Sequence, residues 1–431
     1  MTETEFKKSY PFIFSFFYLI QGFYNGIQYI VVPFWVLSIM SVDLAVVLGI
    51  FAVATIPWFL KFIIGLLNDR YGTKKFGRRK PWILFSGIFA GIWFIITGIL
   101  LPSQPITGLL NFFMICALMW NIGIAFADTS LDGMILDVTP KEKLGKVQAY
   151  TWSMNTFGNA AGGIILGAIF LSFNAIHLLF VFEGILLFIA CFFPAFVKES
   201  PIPEEIPVLD NLKAIFKKRE NWKVFISAML DSIPYGVVLL AYSILVILYA
   251  PDALISGPIS SLSLKGAPLE AFIVYCLIGA VFGLGVIVGG VIIGRIADKK
   301  RKLSVYIANL VYIPLLIICF LFRGPYLLGI IMMALLGFGE GGLKASFQSV
   351  RADISNKYPD LRSTFFALII SFLNAGQTIG MALTSVLLTL FSSFFSEYYM
   401  VFFCIMIIMA IFQLLCVLIF KTIDSRLYEF E

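Results

Sequence analysis

The sequence predicts an all-α integral membrane protein: twelve transmembrane helices in two pseudo-symmetric six-helix bundles, with both termini cytoplasmic. Three observations lead there. Hydrophobic residues make up 60% of the 431 residues and charged residues 13%, against about 25% charged in a soluble domain. Apolar runs of spanning length recur along the whole chain. The same short motifs close those runs twice, at nearly the same offset.

A spanning helix needs about 20 mostly apolar residues. Runs between polar or Pro/Gly breaks fall at roughly 11–38, 44–67, 81–101, 109–136, 146–171 and 176–197. After a polar stretch come 222–250, 270–297, 304–322, 326–351, 364–391 and 398–420. The first run follows Lys7 and Lys8; it is longer than a signal-peptide core and no Ala-x-Ala cleavage site follows, so it is kept as span 1. Of the 31 Lys and Arg, only Lys265 and Arg323 fall on outer loops, and only Lys61 and Lys344 inside spans away from their cytoplasmic ends. The others lie on the tails, the even-to-odd loops and the linker, which assigns those segments to the cytoplasm. The polar, Pro-rich linker 198–221 separates an N-terminal bundle, 1–197, from a C-terminal bundle, 222–431.

The halves repeat. Gly65-x-x-x-Asp69-Arg70 closes span 2 and Gly294-x-x-x-Asp298-Lys299 closes span 8. Asp137-Val-Thr-Pro-Lys141 after span 4 has a weaker counterpart in Asp353-Ile-Ser-Asn-Lys357, and Gly158-x-x-x-Gly162 is matched by Gly376-x-x-x-Gly380. Internal duplication of this kind marks transporters that rock two bundles about a midplane site.

Several function classes are excluded. Six cysteines lie scattered inside apolar runs without paired spacing, as small core residues do, and His177 is the only histidine. That leaves no metal set, no histidine proton relay and no expected cofactor, and it places any proton chemistry on carboxylates. No Gly-x-x-x-x-Gly-Lys-Ser/Thr loop is present, so the chain has no nucleotide drive of its own. The net charge of +6 reads as cytoplasmic loop charge, not as a nucleic-acid footprint. An enzyme is not expected.

Gly-x-x-x-Asp-Arg followed by a basic loop, repeated in both halves, resembles the major facilitator superfamily over essentially the whole chain. Pro57-Trp58-x-x-Lys61, with Gly65, Asp69 and Gly77-Arg78-Arg79-Lys80-Pro81-Trp82, is similar to folate–biopterin transporters and anhydromuropeptide permeases. Asp128-Thr-Ser-Leu-Asp132-Gly133 resembles the paired aspartates of those families and of the acetyl-CoA transporters; Ser363-Thr364-x-x-Ala367-Leu368 is similar to the permeases. The Gly-Arg-Arg-Lys-Pro-Trp end also resembles the glycoside–pentoside–hexuronide symporters. Their sodium-coupled members carry two aspartates in span 2 where this chain has Pro57 and Lys61. A lysine there repels sodium. The resemblance implies the major facilitator fold and a secondary transporter, and the departure counts against sodium coupling.

In that fold spans 2 and 4 are neighbours. A charge inside a span costs about 2.5–3.5 kcal/mol on insertion scales, so Lys61 is expected to pair with Asp128 or Asp132, four apart on one face of span 4. The pair is either a clamp between helices or a coupling device, since parting a carboxylate from a cation raises its proton affinity. In the second half, Asp231 lies beside Pro234, and Glu340 and Lys344 are four apart in a Gly-rich stretch of span 10. Asp231 is expected to pair with Lys344, leaving Glu340 for the proton; the alternative is a local Glu340–Lys344 pair.

Uncharged polar residues inside spans are the candidate solute ligands: Gln21, Asn25, Gln28, Asn155, Tyr235, Asn374 and Gln377. Each also suits simple interhelical hydrogen bonding. Asp69, Arg70, Arg79, Asp137, Asp298 and Asp353, at cytoplasmic helix ends, are expected to form a gate network fastening the bundles together. The expected whole is a monomeric multi-pass transporter of the cell membrane. It alternates access around a cavity lined by spans 1, 4, 7 and 10, driven by protons, and carries a small polar solute such as a glycoside, muropeptide-like conjugate or pterin. A facilitator-fold assembly factor or receptor without transport activity is the competing reading.

Overall fold

The computed structural model describes residues 6–39, 43–73, 76–103, 106–199, 208–238, 269–318, 326–358 and 362–428. These are helices joined by turns and short coils, with one isolated antiparallel bridge, Thr73 to Gly77.

The expected first span is α1 (Tyr10–Gly26) running through a π-helical turn, Ile27–Val31, into α2 (Val32–Ile39). Pro33, which has no N–H to give the helical ladder, follows that turn directly. The expected second span is broken into α3 (Leu44–Ala54), α4 (Ile56–Phe59) and α5 (Lys61–Arg70). Pro57 sits in the first turn of α4, and Leu60 leaves helical geometry at φ −81° and ψ 8°. The first half continues with α6 (Lys80–Leu100), α7 (Ile106–Val138) and α8 (Lys141–Ala160), then a π-helical turn, α9 (Gly167–Ser172) and α10 (Ile176–Phe192).

A short linker helix, α11 (Val208–Lys217), precedes α12 (Arg219–Ser232), which Pro234 separates from α13 (Tyr235–Val237). The rest of the expected seventh span lies outside the described residues, as do Lys265 and Arg323 of the outer loops. Then come α14 (Leu269–Ala297), α15 (Arg301–Ile318), α16 (Tyr326–Asn356), α17 (Arg362–Ser392) and α18 (Tyr398–Lys421). Among the described residues, nine helices are long and apolar enough to cross a membrane, where the sequence leads one to expect twelve. Interruption of the first two runs and the partial description of the seventh account for the difference.

Close helix approach follows small residues, because lipid supplies no hydrophobic drive for helices to associate. Against α8, a Cβ on Gly158 would strike the Leu19 carbonyl of α1, and one on Gly162 would strike Phe23. The repeat is matched in space: Gly376 and Gly380 of α17 press on the Met229 and Ile233 carbonyls. A buried aromatic cluster packs within the first half, where Phe94 stacks on Trp120 at 4.5 Å with Phe180 and Phe113 around them.

The chain forms two compact units: Met1–Phe34 with Val53–Asp210, and Trp35–Ala52 with Asn211–Glu431. The division falls near the expected linker but assigns Trp35–Ala52 to the later unit. There the Ser385 hydroxyl donates to the Ala45 carbonyl at 2.6 Å, and Gly49 lies against the same serine.

Candidate functional site

The helix break at Leu60 makes Lys61 the first residue of α5. Interrupted backbone at membrane depth is tolerated where protein or a hydrated cavity surrounds it. The Lys61 ammonium donates to Asp128 Oδ2 and lies 3.7 Å from Asp132 Oδ2, with the Trp58 ring 5.2 Å away. Asp128 Oδ1 accepts from Gln21 Nε2 at 2.6 Å, and the Tyr18 hydroxyl donates to Asp132 Oδ1. Asn155 reaches the Tyr18 carbonyl and accepts from Asn25, both at 3.4 Å. One ammonium thus faces two carboxyl groups in this cluster. The two acids differ: the Asp128 side chain is 6% exposed and that of Asp132 42%.

A second polar layer lies two helical turns further along α7, around Asn121. Its Oδ1 accepts from Trp58 Nε1 at 2.7 Å and from the Tyr24 hydroxyl, and its amide donates to Gln28 Oε1 at 2.8 Å. Trp120 Nε1 also reaches Gln28 Oε1, at 3.2 Å. Two buried atoms, Gln21 Oε1 and Gln28 Nε2, have no hydrogen-bond partner among the described residues. Sequence reasoning singled out Gln21, Asn25, Gln28 and Asn155 but missed Tyr18, Tyr24 and Asn121. Asn121 shares a helix face with Asp128, seven residues on, and that spacing was the available signal.

In the second unit the expected Asp231–Lys344 pair does not form. Asp231 Oδ2 accepts from Arg351 Nη2 at 2.8 Å, and both side chains are nearly fully buried. Gln413 of α18 donates to Asp231 at 3.2 Å and to Asn309 of α15 at 2.8 Å, so four helices share this network. Arg351 reads in the sequence as an end-of-span charge, but α16 carries it inward because the helix runs on to Asn356. Lys344 takes the local alternative: it lies 3.6 Å from Glu340 Oε1 and 3.5 Å above the Tyr235 ring. Gln377 packs on Gly236 beside Tyr235, and Asn374 lies half-buried one turn earlier on α17.

The predicted gate residues form pairs within each unit. Arg78 Nη2 bonds Asp137 at 2.7 Å and Arg79 Nε bonds it at 3.2 Å; in the second unit Arg301 bonds Asp353 at 2.7 Å and lies 3.7 Å from the exposed Asp298. These two clasps correspond through the repeat. The side chains of Asp69 and Arg70 lie outside the described residues. Arg78, Arg301 and Glu199 are additions. The Glu199 carboxylate accepts the backbone N–H groups of Arg78, Arg79 and Lys80 at 2.7, 2.9 and 2.9 Å, at the start of α6. Gly77, at φ 88°, passes so close that a Cβ would meet that carboxylate at 2.8 Å. Glu183 of α10 is fully buried and neither oxygen has a partner among the described residues. Among the described residues no cluster of His, Cys, Asp and Glu is suited to a metal.

A sequence profile described as Major Facilitator Superfamily matches residues 14–350 and 271–427. A protein of Rickettsia conorii named as an AmpG 1 transporter is 28% identical over 313 residues, which is 69% of this chain and 71% of that protein. An Arabidopsis thaliana protein named folate-biopterin transporter 4 is 29% identical over 163 residues, 36% of this chain and 31% of the relative. Among solved structures, a bacterial homologue of the lysosomal transporter Spinster, inward-facing and unoccupied, superposes with a TM-score of 0.66 at 15% identity, covering 98% of both chains. A POT family transporter in complex with 5-aminolevulinic acid gives 0.68 at 11% identity over 96% of each.

Proposed function

Because the chain belongs to the major facilitator superfamily, we propose that it is a proton-coupled secondary transporter of a small polar organic solute, with a sugar or sugar conjugate favoured. It spans the cell membrane twelve times, keeps both termini in the cytoplasm, and works as a monomer by alternating access. The cytoplasmic bias of Lys and Arg supports that orientation.

The observation that carries this reading is the Lys61–Asp128–Asp132 cluster, an excess carboxyl group held at membrane depth. A scaffold gains nothing from such a group, since ionisable residues inside spans are costly. Lys61 acts as a built-in cation, Asp128 and Asp132 as its exchanging partners, and Glu340 beside Lys344 as the proton carrier of the second half. Asp231, tied to Arg351, positions the helices around Glu340. Gln21 and Gln28, each with an unpartnered buried atom, supply solute hydrogen bonds, with Asn25, Asn155, Tyr235, Asn374 and Gln377 completing the polar lining. Arg79–Asp137 and Arg301–Asp353, with Asp69, Arg70 and Asp298, form the cytoplasmic gate, each clasp setting the helix ends of its own half. The relative named as a folate-biopterin transporter supports a solute of the pterin kind.

The test is uptake into proteoliposomes under an imposed pH gradient, with labelled muropeptide, glycoside and pterin solutes. Wild type accumulates one of them and collapses the gradient. Glu340→Gln abolishes accumulation and spares solute exchange, and Lys61→Ala loses pH-dependent, concentrative uptake. Accumulation retained in both variants refutes the coupling roles.

A further inference from the structure

Two lysines lie within spanning segments, and their situations differ. Lys61 is hydrogen-bonded to Asp128 and its side chain is 11% exposed. The Lys344 side chain is 45% exposed; its one close acid among the described residues, Glu340, stands 3.6 Å away, beyond hydrogen-bond length, and is itself 6% exposed. The Lys344 ammonium therefore has N–H donors to offer an incoming acceptor, and the Tyr235 ring beneath it holds it in place.

Lipid does not account for this exposure. The exposed apolar stripe of α16 is Leu327, Ile331 and Leu335. At about 100° per residue, Lys344 stands roughly 140° around the helix from Ile331. Gln348, also exposed, is one turn further on the Lys344 side. A charged and an amide side chain, both solvent-accessible on the face away from lipid contact, line water.

We infer that the transported solute carries an anionic group, a carboxylate or a phosphate, and that Lys344 receives it, with Tyr235 and Gln348 as flanking contacts. The inference rests on the transporter reading above and narrows its substrate class. It also gives the proton a physical reason to travel with the solute. Once an anion takes the ammonium, Glu340 is left buried without a counter-ion, and a buried carboxylate in that position is neutralised by binding a proton. The other titratable groups facing Glu340 do not substitute for Lys344: Tyr312 from α15 offers only a hydroxyl, and Asp231 from α12 is another acid, already bonded to Arg351. Anion and proton therefore load one for one, the proton on a Glu340 oxygen.

The test compares matched pairs on the purified full-length protein: N-acetylmuramic acid and glucuronic acid against their methyl esters, and glucose 6-phosphate against glucose. Thermal shift and microcalorimetry are read at several pH values on wild type, Lys344→Gln, Lys344→Arg and Glu340→Gln. At least one acid is expected to bind wild type about ten-fold or more tighter than its neutral partner, and the pair that responds distinguishes carboxylate from phosphate. Lys344→Gln loses that preference and Lys344→Arg keeps much of it. Affinity falls about ten-fold per pH unit on the alkaline side in wild type, as linkage of one proton requires, and stays flat in Glu340→Gln. Three outcomes overturn the inference: no acid binds wild type, acid and neutral partner bind alike, or Lys344→Gln binds the acid with wild-type affinity. Accumulation of a neutral solute under a pH gradient would sink it while leaving the transporter reading intact.

Discussion

Replacing Lys61 with methionine keeps the length of the side chain and removes its charge. Asp128 would then retain one donor, the Gln21 amide at 2.6 Å, in surroundings that leave its side chain 6% exposed. Deleting one partner of a buried ion pair costs about 3–5 kcal/mol, because the remaining ion is uncompensated. Asp132 is a different case: it stands 3.7 Å from the ammonium and is 42% exposed, and a water-screened pair is worth only about 0–1 kcal/mol. The expected order is therefore specific. Lys61→Met and Asp128→Asn are each destabilised by about 3–5 kcal/mol and Asp132→Asn by under about 1 kcal/mol. For a unit of about 200 residues, roughly 2–4 °C of melting temperature follows each kcal/mol, so the first two variants lose about 6–20 °C. The double variant Lys61→Met/Asp128→Asn regains much of that loss, since no buried ion remains. If the contact were worth only the ~0.6 kcal/mol typical of interhelical hydrogen bonds in membranes, the shift would be barely measurable. Thermal unfolding in detergent at fixed lipid content, read by intrinsic tryptophan fluorescence, separates the cases. Equal melting of Lys61→Met and Asp132→Asn, or a double variant less stable than either single, refutes the reasoning.

Four further expectations follow from packing and polar satisfaction. Gly158→Val and Gly376→Val push side chains into the Leu19 and Met229 carbonyls, and each should cost at least the ~1–3 kcal/mol of an overpacked core. Gly279→Ala and Gly283→Ala, where an added Cβ would meet nothing within 4 Å among the described residues, should melt as wild type does. Glu199→Ala removes three charge-assisted bonds to the start of α6, so trypsin should cut after Arg78 several-fold faster; an unchanged rate would show that the clip does not restrain the loop. Glu183→Leu removes two buried oxygens that lack partners among the described residues, and it should raise stability by about 1–3 kcal/mol. A fall in melting temperature would point to a partner for Glu183 in another conformation.

Charge was the legible part of this sequence. A lone lysine in an apolar helix has few ways to be tolerated, so Lys61 could be matched to the Asp128/Asp132 face from spacing and depth, once the family resemblance made spans 2 and 4 neighbours. The same rule misled at Asp231. Arg351 looked like a topological charge because the apolar run ends near it, and only the continuation of α16 to Asn356 buries it at 3% exposure. Uncharged partners were harder. Tyr18 and Asn121 carry no insertion penalty large enough to stand out from the many polar residues that merely satisfy neighbours. Glu199 was hidden differently: it lies in the linker, far in sequence from the Gly77–Lys80 turn that it caps. The helix breaks were half legible, since Pro57 and Pro33 announce a missing donor without saying whether the chain will bulge or stop.

What the two halves share and what they do not share separates scaffold from site. The glycine contacts at Leu19 and Met229, and the Arg–Asp clasps at Asp137 and Asp353, recur through the repeat because close helix approach and helix-end charge have few solutions. At the offset that relates Asp137 to Asp353, Asp128 corresponds to Lys344, so equivalent positions on α7 and α16 carry opposite charges. At the offset that relates Gly65 to Gly294, Lys61 corresponds to Gly290, and no cation stands there to pair with α16. A duplicated scaffold would keep its charges if they served only to hold helices together, as the clasps do. Departure in the middle of these helices, where an unpaired charge is most costly, fits the proposed solute site there.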